Sequence, residues 1–279
     1  MTQVAPPSRP DIKALRVVGA ALRYMVETRR DLLMIATPPV IALAIVETLV
    51  RLAVPDSAGA PMPGEAAQME PAALTATLAL LLLNLIFYVM FAVAWHRKYL
   101  VPQESVTVAG ALKWRREKTL FLLRVIAIFA IAGVGLVLVV LVSQMLAGGS
   151  NAGATVGGAL AALAFTVVFA RLSLVLPAMA TGREDFRIAD AWRASKGNAL
   201  GMFLILLLPT LFALAVSMPV ALLALGLGSA GLLETATGYA LLALFGQAAN
   251  YLVIALTVSS LSIAYEQLAP APPTRSVQS

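Results

Sequence analysis

Six apolar runs, each about as long as a bilayer is thick, recur along the chain and leave little room for any other kind of fold. A helix rises about 1.5 Å per residue, so a hydrocarbon core of roughly 30 Å is crossed by about 20 mostly apolar residues. The runs fall at residues 32–54, 73–95, 119–146, 154–180, 199–227 and 238–265. With 60% hydrophobic and only 12% charged residues in 279, the chain lies far outside the soluble range. The expected fold is all-α, an integral membrane bundle of six transmembrane helices. The third and fifth runs exceed the length of a span and are expected to tilt, kink or extend beyond the hydrocarbon, with Pro209 and Pro219 favouring a kink in the fifth.

Orientation follows from the cations, because Lys and Arg close to spans are retained on the cytoplasmic side. Arg9, Lys13, Arg16, Arg23, Arg29 and Arg30 precede the first run, and Arg97, Lys98, Lys113, Arg115, Arg116 and Lys118 separate the second from the third. Arg183, Arg187, Arg193 and Lys196 separate the fourth from the fifth. The alternate connections hold no Lys or Arg, and the first of them carries Asp56, Glu65 and Glu70. Both termini are therefore expected in the cytoplasm of a bacterial cell, with the chain in its inner membrane. Residues 1–31 are polar or amphipathic and the first long run has no small-residue cleavage site, which predicts a retained span and no secretory signal. Residues 1–10 and 267–279, rich in Pro and Ser, are expected to be disordered tails around a membrane domain at 11–266. The net charge of +6 is spread between spans, which points to anionic lipid and away from nucleic acid.

A short basic segment with one aromatic residue precedes each odd-numbered run: AALRYMVETRRDLLMIA, GALKWRREKTLFLLRV and ADAWRASKGNALGMFLI. In the first, Ile12, Leu15, Val18, Leu22 and Met25 recur at helical spacing, with Lys13, Arg16, Arg23, Glu27 and Arg30 on the other side. In the second, Thr107 is a candidate N-cap before Val108, Leu112 and Trp114. In the third, Asp185 stands before Ile188, Ala191 and Trp192, and Gly197 and Asn198 can end the helix. This threefold repeat predicts three interfacial amphipathic helices, their apolar faces at the headgroup boundary and Tyr24, Trp114 and Trp192 in the interface. The bland alternative is three basic loops.

FARLSLVLPAMATGREDFRIADAWRASKGN at 169–198, together with FAVAWHRKYL at the end of the second run, resembles six-span bacterial inner-membrane proteins related to the membrane domain of glycerophosphoryl diester phosphodiesterases. The resemblance implies a six-helix bundle of largely unknown role, sometimes joined to a soluble catalytic domain. It supplies no catalytic residue for this sequence.

An ionisable group within a span costs about 2.5 to 3.5 kcal/mol at the bilayer centre, so each one raises a question of function. Glu47 and Arg51 stand four apart on the outer part of the first run and are read as a pair on one helix face. Arg124 and Arg171 lie near cytoplasmic ends and can snorkel. Arg97, Arg171 and Arg193, with Trp114 and Trp192, are candidate contacts for anionic headgroups. Asn84, Gln247 and Asn250, with Glu47 and Arg51, form a candidate polar cluster within the membrane, for inter-helix hydrogen bonds or a transport path. Gly133, Gly135, Gly153, Gly157 and Gly158 allow close packing, and Pro38, Pro39 and Pro177 allow bends or breaks. His96, between Trp95 and Arg97, is read as an interface anchor.

With no Cys, a single His and no Walker, G-x-S-x-G or H-E-x-x-H motif, no catalytic residue, metal site or cofactor is expected. The leading expectation is a non-enzymatic membrane scaffold that interacts with lipid, a protein partner or a second copy of itself. A small permease component comes next, and a lipid-acting enzyme third.

Overall fold

Among the described residues of the computed structural model, 11–54, 71–146 and 151–269, the chain forms ten α-helices and no strands. The helices are α1 (Ala14–Glu27), α2 (Arg29–Ala53), α3 (Pro71–Leu100), α4 (Val108–Leu112), α5 (Arg116–Leu146), α6 (Asn151–Leu172), α7 (Val175–Ala180), α8 (Ile188–Ala194), α9 (Ala199–Ser229) and α10 (Ala236–Leu268). Six are long and apolar enough to cross a membrane: α2, α3, α5, α6 with α7, α9 and α10. The fold is an all-α helical bundle, as the apolar runs require. Residues 1–10 and 270–279 of the expected tails and the acidic loop with Asp56, Glu65 and Glu70 lie outside the described residues, while Gln267 and Leu268, expected in the C-terminal tail, belong to α10.

Proline acts differently in different spans. α6 ends at Leu172 and α7 restarts at Val175, because Pro177 has no N–H with which to reach the Ser173 carbonyl four residues back. That carbonyl accepts the Leu176 N–H at 3.0 Å instead. Pro38 and Pro39 in α2, and Pro209 and Pro219 in α9, lie within continuous helix.

Polar contacts fix which helix ends lie together. At one end, Lys98 of α3 pairs with Asp31 of α2 at 2.8 Å, and Tyr99 donates to Glu266 of α10 at 3.0 Å. Arg116 of α5 meets Glu184 at 3.0 Å, and Arg183 donates to the Tyr265 hydroxyl at 2.9 Å. The Ile12 N–H donates to the side chain of Asn198, at the start of α9, at 2.9 Å. Successive spans therefore run up and down. Among the described residues, every Lys and Arg except Arg51 belongs to segments at this end, which we name the basic end. At the opposite end Glu47 of α2 reaches α10, and Gly157 of α6 packs so closely on Ser143 of α5 that a Cβ there would clash with the serine side chain. Gly133, Gly135 and Gly158 have open space instead, so of the expected packing glycines described at side-chain level only Gly157 serves that purpose.

The core gathers toward the basic end. Phe91–His96 of α3 is buried all round, against α10 residues Tyr251, Ala255, Ser259 and Ser262. Small residues on α10 let α3 approach, and hydrogen bonds then lock the two helices: the Trp95 indole N–H donates to Ser259 at 2.8 Å, and His96 Nδ1 lies 2.8 Å from the Ser262 hydroxyl. Phe91 stacks on Trp95, with ring centroids 6.0 Å apart, and meets Tyr251 edge-on at 5.1 Å.

A short helix precedes each odd-numbered span: α1 before α2, α4 before α5 and α8 before α9. Ile12, Val18 and Met25 of the expected stripe are buried, but the buried face of α1 turns away from Leu15 and Leu22. Ala14, Val17, Val18, Ala21 and Met25 are covered by the protein itself, through contacts with α9 and α10, whereas Leu15 is 76% exposed and Leu22 half-buried. Small and β-branched residues allow a closer helix approach than Leu, which explains the rotation. Tyr24 also turns inward, with its ring 5.6 Å from Trp95 and 4.9 Å from Tyr99, so it does not anchor an interface. Burial and the nearby Asp31 push its phenol up to about 12.

Candidate functional site

The sequence-selected headgroup contacts occupy three places at the basic end. Arg171, at the end of α6, donates to Ser195 (3.1 Å) and to the Trp192 carbonyl (2.8 Å), and its guanidinium lies 3.4 Å over the Trp192 ring. These contacts fasten α8 to α6 and leave Trp192 exposed. Arg193, one residue on, is held at 2.5 Å by Asp190. The Asp190 carboxylate also accepts the Arg187 N–H at 2.8 Å, closing the first turn of α8, and that bond together with Arg193 holds its pKa below the usual range. Asp185, the expected cap, lies 3.5 Å from Arg183 instead, and α8 starts after Arg187.

Arg97 stands elsewhere. It is bound by Glu104 and donates to the Ala180 carbonyl at 3.1 Å, tying the 101–107 loop to the end of α7. Trp114 is exposed and donates to Thr119 at 2.9 Å, and Thr107 caps α4 through Gly110 as expected. Lys118, read as part of a basic loop, is buried: its ammonium donates to the Ala111 carbonyl and, at 2.6 Å, to that of Lys113, satisfying the end of α4. His96 is also misplaced by sequence. At 1% exposure, packed 5.9 Å from the Phe121 ring, it belongs to the core between α3, α5 and α10 and has no access to headgroups.

The five polar residues expected as one intramembrane cluster divide into two. Glu47 accepts hydrogen bonds from Gln247 (3.1 Å) and Tyr239 (3.4 Å), while Arg51 lies 5.8 Å from the centre of the Tyr239 ring. This group joins α2 to α10 toward the end opposite the basic one. Asn84 and Asn250 instead line a cleft of about 370 Å³ near the middle of α3 and α10, with Tyr88, Tyr251, Phe129 and Phe169 among its other walls. Sequence reading missed both tyrosines because an aromatic in an apolar run reads as filling. The available signal was their position beside the asparagines, at Asn84 with Tyr88 and Asn250 with Tyr251.

Among the described residues no group of three or more His, Cys, Asp or Glu side chains could hold a metal ion. Chemically, the basic end offers exposed cations beside exposed tryptophans, and the cleft offers hydrogen bonds in apolar surroundings. Comparison with family models, with curated proteins and with solved structures finds no match to this chain.

Proposed function

We propose that this chain is a non-enzymatic scaffold of the bacterial inner membrane, with both termini in the cytoplasm and its basic end binding anionic lipid headgroups. One observation carries the reading: Arg16, Arg23, Arg30, Lys113, Arg115 and Lys196 are exposed at the basic end, and none has an ion pair among the described residues. Each cation near an anionic surface contributes about 1 kcal/mol, so six acting on one leaflet outweigh the cost of ordering a few lipids. The exposed rings of Trp114 and Trp192 suit the depth at which such headgroups lie. Cations already held by protein partners, Arg97 and Arg171 above all, shape the surface on which lipid or an acidic partner protein would assemble. The resemblance noted at 169–198 is in keeping with this proposal, since that stretch holds Arg171, α8 and Trp192 together.

The test is a titration of the purified full chain in detergent with short-chain phosphatidylglycerol or phosphatidylcholine, read by the fluorescence of Trp114 and Trp192. The expected result is a saturable response to phosphatidylglycerol alone, weakened roughly five-fold for each of Arg16→Gln and Arg23→Gln. Equal responses to the two lipids, or an unchanged affinity in the double variant, would refute the proposal.

A further inference from the structure

The cleft beside the middle of α3 and α10 lies within the membrane-spanning helices, and its lining is chemically selective. Of its walls, only Asn84, Tyr88, Asn250 and Tyr251 carry polar side chains, and none of the lining residues is a Lys, Arg, Asp, Glu or His. The Asn84 amide N–H is already given to the Leu80 carbonyl, at 2.9 Å. The two phenols and the Asn250 amide have no hydrogen-bond partner among the described residues. Water satisfies such groups at a protein surface. At this depth the alternative partner is hydrocarbon, so orphaned hydroxyls are costly and call for a ligand or a bound water.

The geometry narrows the ligand. A cleft of about 370 Å³ with no formal charge takes an uncharged molecule, at the small end of the range for binding pockets. Two phenols donate most readily, so the complementary groups are acceptors, carbonyl oxygens in particular. The Phe129 and Phe169 rings, with centroids 4.9 Å apart, form an aromatic wall that suits a flat ring better than an acyl chain. Phe129 and Asn250 are exposed, placing the mouth of the cleft on the outer surface of the bundle, where a lipid-soluble molecule would arrive. We propose that this cleft binds an uncharged, flat, carbonyl-bearing ring with an apolar tail, a ligand of the quinone class, through the hydroxyls of Tyr88 and Tyr251.

The experiment measures retention of a radiolabelled decyl-benzoquinone by the full chain in phosphatidylcholine nanodiscs, against empty nanodiscs. The expected result is saturable binding of about one molecule per chain, weakened roughly five-fold by Tyr88→Phe or Tyr251→Phe, the loss of one hydrogen bond each. These variants remove a single oxygen with no protein partner, so the ligand-free double variant is expected to melt no lower than the parent, which separates loss of binding from loss of fold. Retention equal to empty nanodiscs overturns the proposal. So does saturable binding that the double variant leaves intact, or displacement of the quinone by didecanoylglycerol at lower concentration than by unlabelled quinone.

Discussion

The two ends of the bundle are built from the same kind of apolar helix and are held together differently. At the basic end, α3 buries Phe91–His96 on all sides, α1 lies across α9 and α10, and indole, imidazole and hydroxyl groups bond between helices. Toward the other end, Leu138, Leu141, Met145, Leu214, Leu222 and Leu225 are each more than half exposed. In water such a surface would collapse or aggregate, but in lipid it carries no penalty, because hydrocarbon is as good a neighbour as another leucine. The contrast teaches that the buried core is concentrated at the end where the chain also places its cations, while the other end relies on fewer specific contacts, such as Glu47 with Gln247 and Gly157 against Ser143.

Substitutions placed in the two halves put that contrast at risk. Trp95→Ala removes the stack on Phe91, the contact with Tyr24 and the bond to Ser259, and is expected to destabilise the protein by about 3–5 kcal/mol, as a drop in detergent melting temperature. Asn198→Ala leaves the buried Ile12 N–H without its acceptor and is expected to cost about 1–3 kcal/mol, and to speed proteolysis of α1 more than of any span. At the far end Leu222→Ala is expected to change the melting temperature least, by the equivalent of less than about 0.5 kcal/mol, because the side chain is 64% exposed. Equal losses for Trp95→Ala and Leu222→Ala would erase the distinction between the ends.

The spans were readable because length and apolarity are local properties of the chain. The six runs at 32–54, 73–95, 119–146, 154–180, 199–227 and 238–265 lie within a few residues of the helices, and the break at Pro177 follows from a missing N–H. Which side of a span meets protein was not readable, since protein-facing and lipid-facing surfaces are both apolar. His96 illustrates this: beside Trp95 and Arg97 it has the surroundings of an interface residue, and only the neighbouring α10 serines make it a core residue. Leu15 and Tyr24 differ from the sequence expectation for the same reason, because their orientation depends on helices distant in sequence, while Lys118 turns inward to the carbonyls that end α4. Of the candidate site residues, Arg171 with Trp192, Glu47 with Gln247, and Asn84 with Asn250 are brought together by the fold, and the tyrosines that share the asparagines' cleft emerge only when α3 and α10 stand side by side.

The proposed orientation of the six-span bundle puts its basic end in the cytoplasm, and the absence of cysteine from the sequence makes that directly measurable. Single-cysteine variants Lys113→Cys and Lys196→Cys at the basic end and Ser229→Cys at the other can be exposed in intact spheroplasts to a membrane-impermeant maleimide. Labelling of Ser229→Cys alone, with Lys113→Cys and Lys196→Cys reacting only after the membrane is opened, is the expected result. Labelling of Lys113→Cys or Lys196→Cys in sealed spheroplasts would contradict the account.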